Sequence, residues 1–271
     1  MNKISQLLNA NTKPLIMGVL NLTPDSFSDG GKYNRLNTAL KHVEYMIENG
    51  ADIIDIGAES SRPGAETISA DEERNRLEPI LKQIKKEFEC PISVDTYKPE
   101  IMKLSIDHGV DMINDIYALK KPGAIEALAN SDQLVCLMHM QNTPKNMQNL
   151  PTYENIISDL RSFFNSRISE CNQAGIKKER IILDPGFGFG KTFEHNIELF
   201  KKINFFKELS FPLLIGVSRK SMVKKMVGDE ENDIIQASVL LACLAIQKGA
   251  RILRVHDVKE TQNAISVLQA V

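Results

Sequence analysis

The sequence predicts a (β/α)8 barrel formed by a single domain spanning residues 1–271. Three observations point to that class. The chain length of 271 residues matches the usual size of such a barrel. Eight short apolar runs recur, and they are continuous rather than alternating, as suits parallel strands covered on both faces. A polar loop and then a helical pattern follow each run. The alternative is an open doubly wound sheet, but its glycine-rich fingerprint is missing. "GFGFGKT" (186–192) resembles a phosphate loop, yet Pro185 stands where that loop needs glycine, and Lys191 stands where the last glycine of G-x-G-x-x-G belongs.

In order, the runs are "PLIMGVL" (14–20), "DIIDIG" (52–57), "PISVD" (91–95), "DMIND" (111–115), "QLVCLMHM" (133–140), "RIILD" (180–184), "PLLIGV" (212–217) and "RILRVH" (251–256). After the first run, "NLTPDSFSDGG" is crowded with hydrogen-bonding side chains before a helix begins near Thr38. That helix carries Ala39, Leu40, Val43, Met46 and Ile47 on one stripe and stops at Gly50. The second helix has Ser69 and Glu72 in capping-box spacing, with Leu77, Ile80, Leu81, Ile84 and Phe88 on one face; Pro79 predicts a kink. In the third, Pro99 occupies a first helical position and Gly109 follows the last turn. Further helical stretches fall near 122–129, 154–174, 193–209, 220–226, 233–248 and 258–270.

Composition narrows the function. Hydrophobic residues make up 42% and charged residues 25%, with a net charge of −2 and no basic block, which argues against a nucleic-acid or acidic-membrane partner. The four cysteines are far apart and lack a CxxC pair, so structural zinc and a disulfide framework are disfavoured and a reducing cytoplasm fits. "MNKISQLLNANTKP" has no long apolar stretch and predicts no signal peptide, and no run is long enough to span a membrane.

A barrel's strands converge at their C-terminal ends, where active sites sit. Those ends supply Asn21; Glu59, Ser61 and Arg62; Asp95; Asn114; Met138 and His139; Asp184; Ser218, Arg219 and Lys220; and Arg254 and His256. Taken singly, an Asp or Asn there is an ordinary helix cap, and His139 is a satisfied buried histidine. As a set, Asp95, Asn114 and Asp184 are acceptors from three different strands aimed at one volume, and buried carboxylates need a donor-rich partner. Closure puts the eighth run beside the first, so Arg254 and His256 neighbour Asn21. Such a corner suits phosphate, and the Asn21 carbonyl oxygen suits Mg²⁺. The polar stretch after Asn21 then reads as a lid that orders on closure, with Gly30 and Gly31 as its bends.

"NLTPDSFSDGG", "DIGAESSRPGA", "SVDTYKP", "INDI", "LMHMQNTP", "LDPGFGFGKT", "GVSRKS" and "LRVHDV" together resemble the signature blocks of the dihydropteroate synthase family, in that family's order and over nearly the whole chain. Ser61 stands where some members carry Thr, and Asn142 where some carry Gly. The resemblance implies an enzyme that condenses 6-hydroxymethyl-7,8-dihydropterin diphosphate with 4-aminobenzoate, giving 7,8-dihydropteroate and pyrophosphate with the help of Mg²⁺. It implies a pterin site of Asp95, Asn114, Met138, Asp184, Gly216 and Lys220. Asn21, Ser61, Arg62, Arg254 and His256 take the diphosphate, with Asn21 on the metal. Phe27, Arg62, Pro63, Phe189, Lys220 and Ser221 border the aminobenzoate. Catalysis falls to Lys220, Arg254, His256 and Asp95, by early loss of diphosphate and without a protein nucleophile. A cytoplasmic homodimer is also implied, paired through helices on the side near strands 6 to 8. Two rivals share the carboxylate pocket: a pterin-dependent methyltransferase barrel and a non-catalytic pterin-binding paralogue. The first has no evident need for the cationic cluster or the polar stretch, and the second would be expected to lose Lys220, Arg254 or His256.

Overall fold

The computed structural model describes residues 2–10, 13–22 and 32–271, with the side chains of residues 32–35 left aside. Each of the eight runs forms a strand: β1 (Leu15–Asn21), β2 (Ile53–Gly57), β3 (Ile92–Asp95), β4 (Met112–Asp115), β5 (Leu134–Met138), β6 (Ile181–Asp184), β7 (Leu214–Ile215) and β8 (Ile252–Val255). All pair in parallel in the order β6-β5-β4-β3-β2-β1-β8-β7. A parallel bridge between Leu183 and Leu213, with the Leu183 amide donating to the Pro212 carbonyl at 3.0 Å, joins β6 to the segment leading into β7 and closes the ring.

The helices are α1 (Lys3–Ala10), α2 (Lys32–Glu48), α3 (Ala70–Glu87), α4 (Pro99–Asp107), α5 (Ala124–Ala129), α6 (Ile156–Gln173), α7 (Phe193–Lys201), α8 (Ser221–Val227), α9 (Glu231–Gln247) and α10 (Val258–Ala270). Three depart from the sequence reading. Helix α2 begins at Lys32 rather than near Thr38, because Leu36, four residues ahead of Leu40, adds a turn to the apolar stripe and packs on the core. The stretch 193–209 divides into α7 and a 3₁₀ segment, Ile203–Leu209. Helix α1 was not expected. Its Ile4, Leu7 and Leu8 pack on Leu15, Met17, Ile53, Met112, Leu134, Ile182, Leu214 and Ile252, so it plugs the N-terminal end of the barrel. Pro99 opens α4 as read, and Ser69 Oγ accepts from the Glu72 amide, but the Glu72 carboxylate pairs with Arg76, so only half of the expected capping box forms.

Strand periodicity decides what fills the barrel. Residues two apart share a face. Beyond the apolar layer at the plugged end, the inward parity passes from Ile53 to Asp55, from Met112 to Asn114, from Ile182 to Asp184 and from Ile252 to Arg254. The outward parity (Ile16, Leu20, Ile54, Ile56, Val94, Ile113, Val135, Leu183 and Leu253) packs under the helices. The barrel is thus apolar at its N-terminal end and polar at its C-terminal mouth.

Candidate active site

At the centre of the mouth lies Asp55, fully buried, which the sequence reading passed over as part of an apolar run. Its carboxylate accepts from Ser93 Oγ at 2.6 Å, from Arg254 Nε at 2.7 Å and, more weakly, from Asn114 Nδ2 at 3.5 Å. Arg254 Nη2 reaches Asp95 at 3.1 Å, so one guanidinium ties the fully buried Asp55 of β2 to the partly buried Asp95 of β3. Strand β8 does lie beside β1, but the register sets Arg254 opposite Met17, well below Asn21. Its planar fork therefore turns into the barrel toward Asp55 and Asp95 rather than up beside Asn21. Gly216 lies beside Arg254, and a Cβ there would meet Arg254 Cβ at an ordinary contact distance of 3.7 Å.

Around this pair sit the expected acceptors. Asp95 and Asn114 are register partners, as are Met138 and Asp184. Asn114 Oδ1 is buried with no hydrogen-bond partner among the described residues, an open acceptor in a site where such groups are costly. Burial holds the Asp95 carboxyl up at about 7, against the pull of Arg254. Burial also raises Asp184, opposed by the Lys220 charge and by the Gly186 amide, which donates to Oδ1 at 2.7 Å.

Lys220 is the donor facing them. Its Nζ donates to the Phe187 carbonyl and lies 4.3 Å from the centre of the Phe189 ring, and burial lowers it to about 8 while Asp184 holds it up. Met138 is buried and packs with Ile116, Met140 and Met147, against which Phe189, Tyr97 and Tyr117 lean.

His256 is pushed down to about 4 by burial and by Arg254, so it is neutral near pH 7. Ser218 Oγ lies 3.1 Å from His256 Nδ1 and accepts from the His256 amide at 3.2 Å. Arg219 turns away from the mouth; it grips Asp257 through Nε and Nη2 and reaches Glu231 at 3.1 Å. Glu59 is likewise drawn aside by Lys98 and by the Tyr97 hydroxyl at 2.8 Å, and Lys98 also binds the buried Glu73.

Asn21 ends β1 beside Gly57, and a Cβ on Gly57 would lie 3.8 Å from Asn21 Oδ1 and 3.6 Å from Asp95 Cβ. Ser61 is half-buried, and Arg62 and Pro63 are exposed on the β2–α3 loop, whose Gly64 amide donates to the Pro144 carbonyl at 3.1 Å. Ser221 opens α8 directly after Lys220. Asn142 adopts φ 64°, a left-handed conformation that Asn tolerates better than most side chains and glycine adopts freely. His139 is the buried, satisfied histidine expected, its Nδ1 3.0 Å from Lys191 Nζ. Phe27 and the rest of the polar stretch 23–31 lie outside the described residues.

Asp55 carried one legible signal. It shares strand parity with Ile53 and Gly57, the parity that faces the barrel interior.

The fold is a closed parallel barrel, and its mouth gathers the acceptors Asp95, Asn114 and Asp184, the donor Lys220 and a methionine cluster where enzymes of the barrel class carry their active sites. The family described as pterin binding enzyme matches residues 17–256. Dihydropteroate synthase of Escherichia coli (strain K12) is 48% identical over 257 residues, covering 95% of this chain and 91% of that protein. The enzyme of Clostridium beijerinckii is 43% identical, covering 96% and 95%. Among solved structures, Yersinia pestis dihydropteroate synthase in a sulfonamide drug complex superposes with a TM-score of 0.91 at 46% identity, covering 96% of this chain and 94% of that one. The Xanthomonas albilineans enzyme with 4-aminobenzoic acid gives 0.90 at 41% identity, covering 96% and 93%. The chain belongs to the dihydropteroate synthase family of transferases.

Proposed function

We propose that the mouth joins 6-hydroxymethyl-7,8-dihydropterin diphosphate to 4-aminobenzoate, yielding 7,8-dihydropteroate and pyrophosphate. The observation that carries this reading is the buried, unpartnered Asn114 Oδ1 between Asp95 and Asp184, with Lys220 as the donor opposite. The pterin amino group and ring N–H edge donate to Asp95, Asn114 and Asp184. Lys220 donates to the ring carbonyl and ring nitrogen, and Met138 supports the ring. Gly216 keeps the wall thin beside Arg254.

Asn21, Ser61, Arg62, Arg254 and His256 take the diphosphate. Two of the Arg254 nitrogens serve Asp55 and Asp95, which leaves Nη1 for a phosphate oxygen. Neutral His256 accepts from Ser218 through Nδ1 and donates from Nε2. Among the described residues no cluster of acidic, histidine or cysteine side chains forms a metal cage. Asn21 offers one hard oxygen, which fits Mg²⁺, an ion that takes few protein ligands and completes its shell with phosphate and water. When bound there, Mg²⁺ would neutralise charge on the diphosphate.

The methylene C–O bond breaks first, its electron pair leaving with the diphosphate, and the electron-rich pterin carries the developing cation. The arylamine nitrogen then bonds to that carbon and sheds its proton to the departing diphosphate. Positioning and electrostatics supply the catalysis. Phe27, Arg62, Pro63, Phe189 and the Lys220 stem border the aminobenzoate, whose carboxylate meets the Ser221 amide. Sulfonamides, which mimic its ring and acid end, compete there.

The same reading places the chain in the cytoplasm as a homodimer. Its cysteines are free. Met226, Val227, Leu240 and Leu244, on the helices between β7 and β8, expose apolar side chains in the single chain. Light scattering at graded concentrations measures the dimer. Pyrophosphate release on mixing the two substrates tests the reaction; a chain that binds pterin but releases none is a binding paralogue.

A further inference from the structure

The stretch 186–191, which reads as a near miss for a phosphate loop, is bound by its carbonyls instead. Each of its carbonyl oxygens accepts from a side chain. Gly186 and Phe189 accept from Lys191 Nζ at 2.8 and 3.0 Å, and Gly188 from Gln148 Nε2 at 2.6 Å. Gly190 accepts from the Tyr153 hydroxyl at 2.7 Å, Lys191 from Asn196 Nδ2 at 3.3 Å, and Phe187 from Lys220 Nζ. Three of its amides are taken as well: Gly186 donates to Asp184 at 2.7 Å, Gly188 to Asn196 Oδ1 at 2.7 Å and Phe189 to the Gly186 carbonyl at 3.1 Å.

Lys191 is 2% exposed and makes no ion pair with a carboxylate among the described residues. Its ammonium spans two strand ends. On the β6 side it holds Gly186 and Phe189; on the β5 side it lies 3.0 Å from His139 Nδ1 and 3.4 Å from the His139 carbonyl. A charged lysine amine only donates, so with Lys191 charged His139 Nδ1 would be its acceptor and the ring proton would sit on Nε2. Burial lowers Lys191 well below its ordinary range and His139 likewise, which keeps the ring neutral. The two strand ends approach so closely that a Cβ on Gly186 would lie 1.9 Å from the His139 carbonyl oxygen.

We propose that Lys191 is a positioning residue: by riveting the β6 loop to the end of β5, it sets the Phe189 ring, and through the Phe187 carbonyl the Lys220 stem, along the wall that borders the second substrate. The inference rests on the reaction proposed above. Asp95, Asn114 and Asp184 sit on the strands themselves, so the pterin acceptors depend on this rivet less than the loop beyond them does. The aminobenzoate wall depends on it.

The test is Lys191→Met, which keeps length and removes the donor. Steady-state kinetics should show the KM for 4-aminobenzoate raised about tenfold or more, with kcat changed less. Calorimetry with a pterin lacking phosphate should show its Kd raised by a clearly smaller factor than the KM for 4-aminobenzoate. Tyr153→Phe, which deletes one hydroxyl donor from the same loop, should raise the same KM by a smaller factor and carries the test if Lys191→Met does not fold. A lower melting temperature with unchanged KM in both variants makes Lys191 a purely structural group and overturns the proposal. Equal losses of pterin and 4-aminobenzoate binding also overturn it. Wild-type turnover alongside unchanged variants sinks the positioning role alone, whereas absence of wild-type pyrophosphate release sinks the reaction and the inference with it.

Discussion

Replacing Asp184 by Asn changes one oxygen into an amide nitrogen at a position 5% exposed. The swap has a determinate orientation, because Oδ1 already accepts from the Gly186 amide at 2.7 Å and an amide oxygen can keep that bond. The new nitrogen must then face the pocket. A pterin N–H edge meets a donor where it met an acceptor. A donor left unpaired in a buried site costs about 1–3 kcal/mol, which weakens pterin binding about 5- to 150-fold. A second effect follows from charge. Lys220 sits at about 8 because burial lowers it while Asp184 holds it up. Without that carboxylate its pKa falls further, so a larger fraction of the amine is neutral near pH 7. The variant should therefore lose pterin affinity at lower pH than wild type as alkali is added. Calorimetric titration of a pterin lacking phosphate, run on both proteins across neutrality, reads both effects. Unchanged affinity would remove Asp184 from the pocket. Weakened affinity with an unmoved alkaline limb would mean that Lys220 does not titrate against Asp184.

Arg254→Ala leaves Asp55 and Asp95 buried without their cation, which costs about 3–5 kcal/mol and should show in calorimetric melting as well as in lost turnover. His256→Ala should lose turnover with the diphosphate substrate while binding bare pterin nearly normally; an equal loss of both would refute the division between pterin and diphosphate sites. If the pocket for 4-aminobenzoate is completed by bound diphosphate and Mg²⁺, that acid binds poorly to the free enzyme, and equal affinities with and without Mg²⁺, pyrophosphate and pterin would show a preformed pocket. Gly186→Ala combines φ 70° with a Cβ 1.9 Å from the His139 carbonyl oxygen, so the variant should fail to reach the folded state in a denaturant titration, and a wild-type midpoint would contradict the close approach of β5 and β6.

The primary structure by itself determined a great deal here. Continuous apolar runs place all eight strands, since strands covered on both faces cannot alternate. Asp95, Asn114, Met138, Asp184 and Lys220 could be picked out as candidates because each lies near or just past the C-terminal end of a run, and a parallel barrel gathers such ends at one mouth. What only the tertiary structure decided is which of those groups touch. Arg254 meets Asp55 across 199 positions of sequence and Asp95 across 159. Local periodicity carries no information about register between segments so far apart. Asp55 escaped notice because a run that is apolar apart from one charge looks the same whether that charge faces helices or the barrel axis. Parity hints at the answer, but closure and the Arg254 fork settle it. Helix α1 is short, and its place comes from the apolar plug that the barrel floor requires rather than from its own pattern. Lys191 shows the same limit. Its neighbours spell something close to an anion loop, yet burial against the loop's own carbonyls, and against a histidine on the adjacent strand, turns that lysine inward.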